Sequence, residues 1–174
     1  MSPTPTGRVV RTPEGRDLVI LRTFRAPLED VWASITEPER TARWFGPWAG
    51  EPGPGRTIRY TMVFEKGADP AELNSEMTIE ACEPPRHLAL RAVDDYGSWH
   101  LEAHLSEAEG VTELRFTQHL DEKVNVGDVG PGWEYYLDNL AASREGSPPP
   151  DFNDYYPAQK AYYLAQAGGE PAPA

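Results

Sequence analysis

The side chains with the widest chemical repertoire in this chain are four histidines, one cysteine and a few polar residues set among apolar ones. His100, Glu102 and His104 alternate along a strand-like stretch and so share one face. Imidazole and carboxylate are zinc ligands, but four strand residues span about 13 Å, too far for His100 and His104 to share an ion. Only His119 or Glu113 of a neighbouring strand could complete a site, so these residues are expected to form a solvated face, with no metal centre. Cys82 stands before Glu83-Pro84-Pro85 with no activating base beside it, and a single cysteine excludes an internal disulfide. The chain has no Gly-x-Ser-x-Gly elbow, no Gly-rich phosphate loop and no His-Glu-x-x-His helix. No catalytic residue and no cofactor are therefore expected. If a reaction runs, Arg22 and Tyr60 are the groups that could act on a bound molecule. Gln118 is an amide on an otherwise apolar stripe with Leu114, Phe116 and Leu120. Buried unpaired it would be costly, so it needs a ligand, a water or Tyr60, unless the core is filled and satisfies it internally.

These residues need a scaffold, and the periodicity supplies one. Trp133, Tyr136, Leu137, Leu140 and Ala141 follow the i, i+3, i+4, i+7, i+8 spacing of an amphipathic helix. Glu134, Asp138, Ser143 and Arg144 fall on its other side. Pro131 suits the first helical position, Gly146 the left-handed end, and Pro148-Pro149-Pro150 forbids continuation. Before it, Arg8–Arg11 and Asp17–Arg25 flank the turn Thr12–Gly15, and both faces of the second strand begin apolar. Two short helices follow, one from Pro27 to Ile35 and one opening at Thr36-Glu-Pro38 and running through Trp44. Five strands then alternate strictly, from Arg56, Asn74, His87, Ser98 and Val111, as in an antiparallel meander with one solvated face. The inward residues leave room for an apolar cavity under the long helix. Its candidate lining is Tyr60, Met62, Met77, Trp99, Phe116, Gln118, Trp133, Tyr136 and Leu137. Trp44 or Phe45 is expected to plug it, Trp48 to sit nearer the rim, and the Lys66-to-Leu73 loop to cover an entrance.

At 174 residues the chain is one domain with a real core. Its 28 acidic against 16 basic residues, a net charge of −12, oppose binding to nucleic acid. No signal peptide or apolar span is recognisable, so the default location is the cytoplasm. Residues 1–7 read as a disordered leader, 8–146 as the domain, and 147–174 as a Pro/Tyr-rich tail whose four tyrosines around Pro157 suggest a docked short helix.

Three blocks carry a family resemblance: Arg22-Thr-Phe-Arg-Ala-Pro27 with Val31-Trp32; Thr36-Glu-Pro38 with Arg43-Trp-Phe-Gly46; and Gly132-Trp133 with Leu137 and Leu140. In order and spacing they resemble the START-like superfamily of birch-pollen allergen, polyketide cyclases and lipid-transfer domains. The resemblance is nearest to the bacterial homologues of the activator of heat-shock protein ninety ATPase, over residues 8 to 146. It implies an α+β helix-grip fold, a curved antiparallel sheet wrapped around a long C-terminal helix, with two short helices after the first strand. It also implies a pocket rather than a catalytic motif, holding a small hydrophobic molecule in a monomer or homodimer. The alternatives are a cyclase- or hydrolase-like enzyme using that cavity, or a chaperone-activator-like interaction module using the outer sheet face. The Lys66-to-Leu73 loop and the Tyr-rich tail depart from the family pattern.

Overall fold

A computed structural model describes residues 3–64, 74–94 and 97–167. The expected Lys66-to-Leu73 cover lies outside the described residues. Among the described residues eight strands form one antiparallel sheet in the order β1-β2-β8-β7-β6-β5-β4-β3. They are β1 Arg8–Thr12, β2 Gly15–Phe24, β3 Trp48–Ala49, β4 Thr57–Thr61, β5 Asn74–Glu83, β6 His87–Asp94, β7 Gly97–Ala108 and β8 Val111–Leu120. The helices are α1 Leu28–Thr36, α2 Pro38–Thr41, α3 Val126–Glu145 and α4 Lys160–Ala167. The meander predicted from alternation is present, and β2 closes it by pairing with β8. In β2 Leu18 and Ile20 are the buried pair, while Leu21 faces outward at 47% exposure. Periodicity could not choose between those faces; the β2–β8 register does, by setting Leu18 opposite Gln118 and Ile20 opposite Phe116.

The long helix starts five residues before the expected Pro131, because the Asn125 side chain caps it by accepting from the Gly127 N–H at 2.9 Å. Pro131 therefore stands inside the helix, not at its first position. Gly146 ends it in the left-handed conformation, φ 71°. Leu137 and Leu140 pack into the main core with Leu18, Ile20, Val31 and Leu114.

The other side of α3 is not solvated. Glu134 is buried there under α4 and the N-terminal segment, and Tyr135 against Phe152 and Tyr155 of the tail. Tyr163 of α4 is fully buried, and a Cβ on Gly130 would stand 2.4 Å from its ring, so only glycine permits this approach. The segment before β1 is likewise held. The Thr6 and Gly7 N–H groups both donate to Glu134 Oε1 at 2.7 Å, and Gln159 Nε2 donates to the Pro3 carbonyl at 2.9 Å. Residues 3–7 and the tail helix α4, whose docking the tyrosines suggested, thus form one layer packed on α3.

Candidate functional site

A cavity of about 170 Å³ lies between the sheet and α3. Cross-strand register builds its wall. Ile58 pairs with Met77, Ile79 with Leu90, Leu90 with Leu101, Cys82 with Leu88, and Ala103 with Phe116. Trp133 and Leu137 contribute from α3, and Ile35, Thr36, Thr41, Trp44, Phe45, Gly46, Trp48 and Pro52 from the α1–β4 segment. Gly46 is required at that junction, since a Cβ there would stand 1.6 Å from the Thr61 carbonyl oxygen. This close approach aims Phe45 inward, where its ring meets Trp44, Tyr60, Trp133 and Tyr136 with centroids 5.1 to 6.3 Å away. Trp44 and Trp48 also line the cavity, and their indole N–H groups donate to the Ser34 and Thr36 carbonyls at 2.9 Å. Both are thereby tied to α1, while Phe45 packs among the aromatic rings of the wall.

Of the residues expected on the wall, Trp44, Phe45, Tyr60, Met77, Phe116, Trp133 and Leu137 are there. Four are placed elsewhere. Met62 and Tyr136 join a second aromatic cluster with Tyr135 and Tyr155, on the side of α3 that the tail covers. Trp99 sits near the β6–β7 turn, where its N–H donates to Asp94 Oδ2 at 2.8 Å. Gln118 is fully buried, and its Oε1 accepts from Trp133 Nε1 at 2.7 Å. Its Nε2 has no partner among the described residues. Cys82 lines the cavity unexpectedly. A register shift between Ile79 and Ala81 turns Cys82 inward in place of Ala81, and strict alternation cannot register such a bulge. Burial pushes its thiol up.

Of the two candidate acid–base groups, only Tyr60 lines the cavity. Burial, opposed only by a hydrogen bond with Ser75, pushes its hydroxyl above the ordinary range. Arg22 lies on the tail side of α3, its Nη2 2.7 Å from Glu134 Oε2 and its Nε 3.0 Å from Asp138 Oδ1. Tyr163 donates a short hydrogen bond to the same Glu134 carboxylate. Burial alone would raise the Glu134 carboxyl, but bonds from Tyr163, Arg22, Gly7 and Thr6 outweigh it and hold the group below the usual range.

All four histidines meet on the outer sheet face around Glu102. His100 and His104 do not share a site, as the strand length requires, yet His119 stands beside His100 and His87 beside His104. These are directly paired cross-strand positions, which only the register reveals. Burial lowers His100 and His104, each next to another imidazole. His119 is raised, because bonds to Glu102 and Asp17 outweigh its burial. His87 is raised by Glu83, against the effect of burial, with Glu102 adding to it.

The sheet wrapped on α3 over an apolar cavity defines a helix-grip, START-like protein of the α+β class. A family model described as Activator of Hsp90 ATPase homolog 1-like protein matches residues 25–145, and the chain belongs to that family. The fold is similar to the crystal structure of CalU16 from Micromonospora echinospora, with a TM-score of 0.74 and 24% identity over 95% of this chain and 98% of that one. It is also similar to the protein encoded by BPP1335 from Bordetella parapertussis, with a TM-score of 0.72 and 27% identity over 98% and 96% of the two chains. DynU16, a putative protein in the dynemicin biosynthetic locus, aligns with a TM-score of 0.63 and 21% identity over 81% of this chain and 50% of that one. No curated relative matches the sequence. Among the described residues no helix is long and apolar enough to cross a membrane.

Proposed function

We propose that the protein binds a small uncharged apolar molecule in the cavity between its sheet and α3. The observation carrying this reading is the composition of the wall. Its side chains are almost all hydrocarbon, and the three indole N–H groups of Trp44, Trp48 and Trp133 are already bonded to Ser34, Thr36 and Gln118. Little directional polarity is left to offer a ligand, so recognition rests on shape and on removal of apolar surface from water. A volume of about 170 Å³ suits a molecule of about one ring, since apolar cavities of about 150 Å³ stay dry and take up benzene. The outer sheet face carries histidines and carboxylates rather than an apolar patch, which favours the cavity over that face as the binding surface.

Native mass spectrometry of the full chain, read for a co-purifying small molecule, and titration with a small apolar dye test the reading. Ala103 lies on the wall opposite Phe116, so Ala103→Met fills the space from the sheet side. The variant should lose dye affinity at least tenfold while keeping a cooperative melt. Unchanged affinity would show that the dye binds elsewhere and overturn the proposal.

A further inference from the structure

We propose that the outer sheet face carries a divalent transition-metal site formed by His100, Glu102 and His119. One ligand atom from each of the three lies within 4.8 Å of the others. The site follows from the pleat. His100 on β7 and His119 on β8 are exact register partners, and Glu102 follows His100 by two residues on the same face. Their imidazole centroids are 4.5 Å apart, and Glu102 Oε2 is 2.5 Å from His119 Nε2. Ligands about 2 Å from a tetrahedral zinc ion stand about 3.3 Å apart, so small rotamer changes in three half-buried side chains complete the set. Two imidazoles and one carboxylate match zinc, cobalt, nickel or copper rather than calcium or magnesium. They leave one coordination position open to water.

The surroundings also fit. Asp17 Oδ1 holds His119 Nδ1 at 2.7 Å, the carboxylate partner that orients a ligating imidazole so that Nε2 faces the ion. Asp17, Glu80, Glu83 and Glu102 outnumber the nearby cations Arg91 and Arg115, and Arg91 is itself paired to Glu80 at 2.9 Å. The second histidine pair shares Glu102 but is the poorer site. His104 there is exposed and faces Arg115 across the register, and His87 Nδ1 is held by the exposed Glu83. The strand-length limit on His100 and His104 still holds, and the ion bridges strands instead of running along one.

The test uses the full chain without an oligohistidine tag, zinc in equilibrium dialysis, and cobalt as a spectroscopic stand-in. One zinc per chain should be retained, with a raised melting temperature and a visible band from low-coordinate cobalt. His100→Gln and His119→Gln should each weaken zinc at least tenfold. Asp17→Asn should weaken it about 10–100-fold while keeping the cobalt spectrum, which marks Asp17 as a positioning residue. His104→Gln should stay within twofold of the parent. These positions face outward, and circular dichroism melts of the metal-free variants check that each still folds. Failure of the parent to retain zinc would overturn the proposal. So would His119→Gln binding like the parent, or His104→Gln losing as much as His119→Gln.

Discussion

Glu134 is the residue whose removal tests the architecture most sharply. Its carboxylate, 2% exposed, accepts from Arg22, Tyr163 and the Thr6 and Gly7 N–H groups, and so joins β2, α3, α4 and the N-terminal segment. Glu134→Ala leaves the Arg22 guanidinium, 14% exposed, without its main partner, and two backbone N–H groups without an acceptor. Breaking a buried ion pair from one side costs about 3–5 kcal/mol. Asp138 remains 3.0 Å from Arg22 but is itself 33% exposed, so the lower end, about 3 kcal/mol, is expected. At about 2–4 °C per kcal/mol for a chain of this size, the melting temperature should fall by about 6–12 °C. Limited proteolysis should then cut first in the α4 layer, because its anchor is gone. Glu134→Gln keeps an acceptor for the N–H groups and Tyr163 and should fall between the two. A shift below about 2 °C for Glu134→Ala, with the tail still protected, would refute the reasoning. It would mean that apolar packing of Tyr163 alone holds the layer.

The same carboxylate sets an acid limb. Its folded pKa lies below the ordinary 4.5, so its stabilisation is complete above that value and is lost as pH falls through the folded pKa. Melts of Glu134→Gln between pH 6 and about 3 should show a shallower decline than the parent. Leu137, 2% exposed in the core, should not tolerate charge: Leu137→Asp should lose several kcal/mol or fail to fold, and a melt within a degree or two of the parent would make α3 peripheral. Phe45→Ala should change apolar-dye affinity severalfold, whereas Trp44→Ala should mainly cost stability, about 3–5 kcal/mol, because it pins α1. The reverse pattern would exchange plug and pin. With a net charge of −12, the chain should show no salt-sensitive retention on DNA at physiological ionic strength.

Local periodicity carries most of the scaffold. Alternation along β4 to β8 and the apolar stripe of α3 are properties of neighbouring residues, and Gly146 ends the helix by its own backbone freedom. Phe116, Trp133 and Leu137 on the cavity wall were legible for the same reason, since an inward residue under a helix has nowhere else to point. What the sequence left open depends on which distant segments meet. The inward face of β2 waits on its register with β8, and Cys82 reaches the cavity only through the shift between Ile79 and Ala81. Glu134 reads as a solvent-facing acid on a helical wheel, because nothing local announces that Gly7 and Tyr163 will close over it. His119 lies far along the chain from Asp17 and close to His100 only across a strand pair. Side-chain order along a strand or helix is written into the chain itself, whereas contacts across strands and between layers exist only once long loops have closed. So the sequence alone determined a sheet gripping a helix and part of the cavity wall, and tertiary structure decided the place of Cys82 on that wall, the buried carboxylate and the gathering of the histidines.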